Sequence, residues 1–243
     1  MHDYSEETYG ERIAGVYDQW YSEFDPTAIQ ALAEFAHGKN ALELGIGTGR
    51  IALPLSQTGV TVHGIDASNS MVARLRAKPG GEKIPVTMGS FADVPIEGKF
   101  ALIYVVFNTF FALLTRDEQI RCFQNVARHL ASDGVFVIEA FVPDLKRFNG
   151  GQAIRAVRIE DNEVQLDVSE LELDQQVITT QHLVLTEQGT HFYPVKLRYV
   201  WTSEMDLMAQ LSQLRLKERW SNWGKAAFTA QSGKHISVYE HQR

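Results

Sequence analysis

Three features of this 243-residue sequence predict an α/β fold, a doubly wound parallel sheet with helices on both faces. Strand-like and helix-like segments alternate from about residue 40 to residue 142, the pattern of parallel strands joined by right-handed crossovers. The run FALIYVVFN (100–108) is apolar on both faces, as a central parallel strand must be. The stretch ALELGIGTGRIALPL (41–55) places three glycines at alternate positions between a strand pattern and a helix pattern. Glycine weakens such a turn, so its use there suggests that something approaches the main chain closely.

Composition sets the frame for that fold. With 44% hydrophobic and 22% charged residues, the chain is ordinary for a globular protein and long enough for a sizeable core. A formal net charge of −7 argues against nucleic acid or an anionic membrane as partner. The one cysteine, Cys122, falls in the helical pattern DEQIRCFQNVARHL and is expected as a small buried side chain in a reducing cytoplasm. The opening MHDYSEETYG lacks the basic-then-apolar order of a secretory leader. The longest apolar run, ALIYVVFNTFFALL (101–114), is too short to span a membrane.

The elements follow in order. Ile13, Val16, Tyr17, Trp20, Tyr21 and Phe24 fall at helical spacing, and Asp25-Pro26 ends that segment before a second helix, TAIQALAEFA. NALELGI reads as strand one, and GRIALPLSQTG as a helix closed by Gly59, with Pro54 early enough to be tolerated. VTVHGID is strand two, and SNSMVARLRAK a helix with Ser68 as N-cap. A Gly80-Gly81 loop leads to strand three, IPVTMG, and FALIYVVFN is strand four. TRDEQIRCFQNVARHL opens with Thr115 and Glu118 at capping-box spacing, and Asp133-Gly134 turns into strand five, GVFVIEAFV.

After Pro143 the rhythm changes. From about Ala153 to Trp201 residues alternate, with turn signals at Asp161-Asn162 and Glu187-Gln188-Gly189, predicting a meander of antiparallel strands. TSEMDLMAQLSQL is a helix expected to be capped by Thr202 or Ser203, and RLKERWSNW and HISVYEHQR close the chain as a strand pair. The resulting division is 1–38 helices, 39–150 core, 151–201 antiparallel β insert and 202–243 final helix and hairpin, all in one domain.

A glycine turn between a first strand and a first helix suits a nucleotide-like ligand, because the helix start offers free N–H groups. Asp66 closes strand two 17 residues beyond Gly49, where an acid accepting ribose hydroxyls is expected. Two cofactor classes share this scheme. GTGRIA (47–52) formally matches the dinucleotide fingerprint G-x-G-x-x-A. The other register runs from Glu43 through Gly45 and Gly47 to Gly49, and its acid suits a cationic ligand amine, or a water bound to one, better than a pyrophosphate.

That E-x-G-x-G-x-G pattern resembles motif I of the class I S-adenosylmethionine (SAM)-dependent methyltransferases. The resemblance extends over most of the chain: aromatic N-terminal helices, motif I, the acid after strand two and a polar segment after strand three. The late β insert and closing strand pair are similar to the branch that methylates small molecules, including amino-sugar N-methyltransferases. It implies a seven-stranded Rossmann-like sheet with a reversed last strand, SAM as cofactor, S-adenosylhomocysteine as product and a small-molecule acceptor. It also implies that Asp66, beside Ala67, holds the ribose and that Met71 covers the adenine. Gly89-Ser90-Phe91-Ala92-Asp93 stands where the family often has G-D-M/A, so Ser90 departs from the usual aspartate, with Phe91 and Ala92 at the adenine edge. Phe107 and Asn108 are placed at the reactive end of the cofactor, Asn108 towards the acceptor, and Tyr17 and Tyr21 close over the methionine part and the acceptor. Met71 and the helical aromatics are equally the material of a core.

Methyl transfer from a sulfonium needs no protein nucleophile, but a hydroxyl or ammonium acceptor needs a base. The insert supplies the candidates His182, His191 and Tyr193. No clustered ligand spacing points to a metal, and no G-x-S-x-G elbow points to a hydrolase. The expected function is SAM-dependent methylation of N or O on a small molecule; SAM binding without transfer and NAD-dependent oxidoreduction are the alternatives. The insert is expected to roof the crevice or, by an edge strand, to pair two subunits as a homodimer.

Overall fold

The computed structural model describes residues 4–5, 7–22 and 24–242. The first helical pattern is two short helices, α1 (Thr8–Ile13) and α2 (Tyr17–Trp20), interrupted around Gly15. Helix α3 (Pro26–Ala36) starts where Asp25 accepts a hydrogen bond from the Thr27 N–H, with Pro26 at the first helical position. Strand β1 (Asn40–Leu44), α4 (Ala52–Ser56), β2 (Thr61–Asp66), α5 (Asn69–Arg76), β3 (Val86–Met88) and β4 (Phe100–Val105) then alternate as expected. Every residue of β4 is buried. Helix α6 (Arg116–His129) carries the capping box, with the Thr115 side chain accepting from the Glu118 N–H and the Glu118 side chain accepting from the Thr115 N–H. Strand β5 (Leu130–Phe141) begins earlier than expected, and Asp133-Gly134 lies within it beside a register shift against β4.

The insert is four strands, β6 (Gln152–Glu160), β7 (Glu163–Glu172), β8 (Val177–Thr186) and β9 (Gly189–Arg198), paired in sequence as one antiparallel sheet. Helix α7 (Thr202–Leu211) follows, then β10 (Leu214–Trp220) and β11 (Lys234–His241). Neither Thr202 nor Ser203 caps α7. Its N-cap position is Trp201, which has no side-chain bond to the helix.

The main sheet has the order β10-β11-β5-β4-β1-β2-β3. Strands β1 to β5 are parallel, and β11 runs antiparallel to both β5 and β10, giving the reversed last strand. Two apolar cores cover its faces. Leu42, Leu44, Ile103 and Val105 face Phe123 of α6 and Met205 of α7, while Ala41, Leu102 and Tyr104 face Leu32 of α3 and Leu55 of α4. Cys122 is fully buried. Among the described residues, no helix is long and apolar enough to cross a membrane.

Candidate active site

Strand order reverses at β1, which lies between β4 and β2, so a crevice opens beyond the carboxyl ends of these strands. A cleft of about 410 Å³ occupies that place and runs on beneath the insert. Its floor is the glycine turn, where all three motif glycines have positive φ and do different work. A side chain at Gly45 would strike Thr109, although Gly45 itself lines the cleft; one at Gly49 would strike Leu75, and Gly49 is a packing position outside it. At Gly47 an added Cβ would meet nothing within 4 Å, so this face of the main chain is open to the cleft.

Asp66 stands opposite. Its Oδ2 accepts from the Gly47 N–H at 2.7 Å and its Oδ1 from the Ser68 N–H at 2.8 Å. Burial pushes its pKa up, against the hydrogen bonds from Ser68, Gly47 and Ala67. A carboxylate offers about four acceptor positions, so with these three bonds made about one remains for a ligand hydroxyl. Ala67, Met71 and Phe91 line the same end of the cleft. Glu11 fastens α1 over it by accepting from the Ser68 hydroxyl and the Ser70 N–H.

The opposite wall is aromatic. Tyr17 and Tyr21 lie 4.9 Å apart, and Tyr21 meets the edge of Phe107 at 5.0 Å. Burial holds Tyr17 protonated, its pKa raised to about 12. Phe107 and Asn108 follow β4 with φ of 57° and 67°. Asn108 lines the cleft and also ties strand ends together, its Oδ1 accepting from the Phe141 N–H at 2.8 Å.

Several expected residues lie elsewhere. Glu43 does not face the cleft: it is buried under the sheet, where its Oε2 accepts from the Tyr104 hydroxyl at 2.9 Å. Burial raises its pKa to about 8, although Tyr104 and Arg50 oppose the shift. Ala92 is buried in the core beside α6, and Ser90 accepts from its N–H at 3.3 Å; neither lines the cleft. His191 is exposed on β9, and Tyr193 packs behind the wall against Trp20 at 4.9 Å. Of the three candidate bases only His182 reaches the cleft.

The insert turns one face of its sheet to the cleft, with Arg155, Asp167, Ser169, Ile178, Thr180, His182, Val195 and Leu197 contributing. Sequence reading missed Asp167, Ser169 and Thr180. Alternation in each strand could have put them on one face, but only the strand register brings Asp167 beside His182. Tyr9, also missed, enters from α1. Among the described residues no cluster of acidic, histidine or cysteine side chains could hold a metal.

Residues 41–134 match the family model for a methyltransferase domain. The chain is 26% identical to the cypemycin N-terminal methyltransferase of Streptomyces sp., over 96% of this chain and 98% of that one. It is 36% identical to the CcbJ methyltransferase of Streptomyces caelestis, whose structure it matches with a TM-score of 0.92 over 99% of this chain and all of that one. The fold is also that of CalS10, a SAM-bound amino pentose methyltransferase from Micromonospora echinaspora, at TM-score 0.65 and 19% identity, covering 98% of this chain and 93% of that one.

Proposed function

The chain belongs to the S-adenosylmethionine-dependent methyltransferases, and from that premise we propose that it methylates a nitrogen or oxygen of a small-molecule acceptor held beneath the insert. One observation carries the reading. The open face of Gly47 and the carboxylate of Asp66 form a cradle at the strand-order reversal, and the same cleft continues to polar and aromatic side chains beneath the insert.

The residues fit the donor. Asp66 keeps acceptor capacity for a ribose hydroxyl, and Met71 and Phe91 give apolar surface for the adenine. Tyr17 bounds the amino-acid end, and Tyr21, Phe107 and Asn108 stand where that end meets the acceptor chamber. Bound SAM supplies a methyl carbon already activated on sulfur. The protein's part is to align the acceptor and exclude water, which in favourable cases is worth roughly 7–11 kcal/mol. The aromatic faces of Tyr21 and Phe107 also favour positive charge nearby.

The cypemycin relative is named for an N-terminal methylation and CalS10 for an amino pentose, which supports a small acceptor bearing an amine. The same reading places the enzyme in a reducing cytoplasm, in keeping with a single buried thiol, and as a homodimer. Strand β6 leaves Ile154 and Ile159 73% and 75% exposed on the free edge of the insert, a surface that a second copy would cover.

Isothermal calorimetry with SAM, S-adenosylhomocysteine and NAD tests the reading. SAM and its product bind, NAD does not, and Asp66→Ala weakens both by about tenfold or more through loss of charged hydrogen bonds. Unchanged affinity in that variant overturns the cofactor assignment. Label transfer from SAM to a panel of amines and alcohols separates an enzyme from a protein that only binds SAM.

A further inference from the structure

Four strands of the insert place four polar side chains in one row. Arg155 of β6 pairs in register with Asp167 of β7, Asp167 with His182 of β8, and His182 with Tyr193 of β9. Directly opposed residues of antiparallel strands lie on the same face, so the row is one continuous polar line across the sheet. Its first three members line the cleft.

The bonds within the row give it a direction. His182 Nδ1 lies 2.5 Å from Asp167 Oδ1, and Arg155 donates to Asp167 Oδ2 at 3.0 Å. Burial alone would raise the Asp167 pKa, but His182 and Arg155 outweigh it, and the carboxyl stays below its ordinary value. An ionised carboxylate accepts only, so Nδ1 presents its N–H to Asp167, and when the ring is neutral its lone pair lies on Nε2. Among the described residues Nε2 has no hydrogen-bond partner. Trp20 presses edge-on against the ring at 6.4 Å and is itself held by Tyr193 at 4.9 Å. The ring is therefore held in position, with Nδ1 turned to Asp167.

We propose that His182 is the general base of methyl transfer, that Asp167 positions it, and that the acceptor is an amine arriving as an ammonium. This rests on the methyl-transfer reading above. The ammonium proton passes to Nε2, and the freed nitrogen lone pair forms the new C–N bond. The C–S electron pair returns to sulfur as the thioether, and the methylated nitrogen carries the positive charge away. The imidazolium is stabilised beside Asp167 until its proton is lost to water. Magnitudes favour nitrogen over oxygen. Imidazole as a class, near 6.5, lies about 4 units below an alkylammonium near 10.4, but about 9 below a hydroxyl resembling water near 15.7. The charged and titratable groups facing the ring are Asp167, Arg155, Tyr193 and, beside Asp167, Tyr21.

Two measurements test this with the full-length enzyme. The first is ¹⁵N–¹H correlation spectroscopy of the histidine rings without donor, with His182 assigned through His182→Gln. The Nδ1–H tautomer is expected in the wild type and its loss in Asp167→Asn; an Nε2–H tautomer in the wild type overturns the proposal. The second is label transfer to benzylamine, glucosamine and trialanine, with benzyl alcohol as the oxygen arm. His182→Gln should slow amine methylation at pH 7 by roughly 10²–10⁴-fold. The deficit should shrink towards pH 10, where the amine has already lost its proton, and SAM affinity by calorimetry should stay within about twofold. A loss of under threefold at pH 7, a deficit equal at all pH values, or methylation of the alcohol alone contradicts it. SAM binding with no transfer to any probe would count against the methyl-transfer reading instead, and the tautomer would still decide the present one.

Discussion

The two halves of the cleft are built in opposite ways. The half proposed for the donor, from Gly45 to Phe91, is largely main chain and short side chains at the ends of three neighbouring strands. The acceptor half is side chains from four antiparallel strands, aligned by register and closed by aromatics of α1 and α2. A main-chain cradle serves one invariant ligand part well, because it needs no side-chain ordering. A side-chain wall can be changed residue by residue without disturbing the sheet that carries it. Substitutions in one half should therefore leave the other half's binding intact, and each expectation here strains that separation.

The largest effect is expected at Gly47. Gly47→Val puts a branched side chain into the open face at φ 55° and should lower SAM affinity by more than roughly 100-fold, about 2.7 kcal/mol. Calorimetry measures it, and near-native far-ultraviolet circular dichroism would confirm that the sheet survives. Affinity within threefold of wild type would break the contrast outright.

An intermediate effect concerns the core under the donor half. The pKa of Glu43 is raised to about 8 in the folded chain, first by burial, from an ordinary 4.5. Between those values the folded state holds a proton that the unfolded state has released, so stability falls as pH rises through that window. The slope approaches about 1.4 kcal/mol per pH unit at its steepest. Thermal unfolding from pH 5 to 8.5 should show this decline, and Glu43→Gln should flatten it while SAM affinity at pH 7 stays near that of the wild type. A decline unchanged in Glu43→Gln would mean that another group carries it.

The smallest effect is expected in the acceptor wall. The Ser169 and Thr180 hydroxyls bond to each other at 2.8 Å and are buried beside the cleft. Ser169→Ala should cost about 1 kcal/mol in chemical denaturation and leave SAM binding unaltered. A change in SAM affinity there would show that the halves are coupled.

The same contrast explains what could be read in the sequence. The parallel core was legible because each strand and helix carries its own periodicity and caps, as with Ser68 on α5 and Thr115 with Glu118 on α6. The place of Gly47 and Asp66 in the cleft was legible because it needs only a turn and the end of the next strand. Glu43 was misplaced because alternation along β1 sends it to the face covered by α3 and α4, beside Tyr104, and not to the strand's open end. Asp167 was invisible for a different reason. The β7–β8 turn, Leu173-Asp174-Gln175-Gln176, holds neither glycine nor proline, with Gln176 supplying a positive φ of 57°. Without that turn the register opposing Asp167 to His182 has no anchor, and a slip by one residue sends the row to the other face. The cap of α7 failed similarly, because Thr202 lies inside the helix and not before it.

A crystal structure of the enzyme with S-adenosylhomocysteine tests the central claim most directly. The ribose is expected on Asp66, the chain of the nucleoside passing over Gly47, and the sulfur facing the part of the cleft roofed by the insert. A nucleoside bound elsewhere, or a Gly47 face closed off by side chains when the ligand is present, would contradict it.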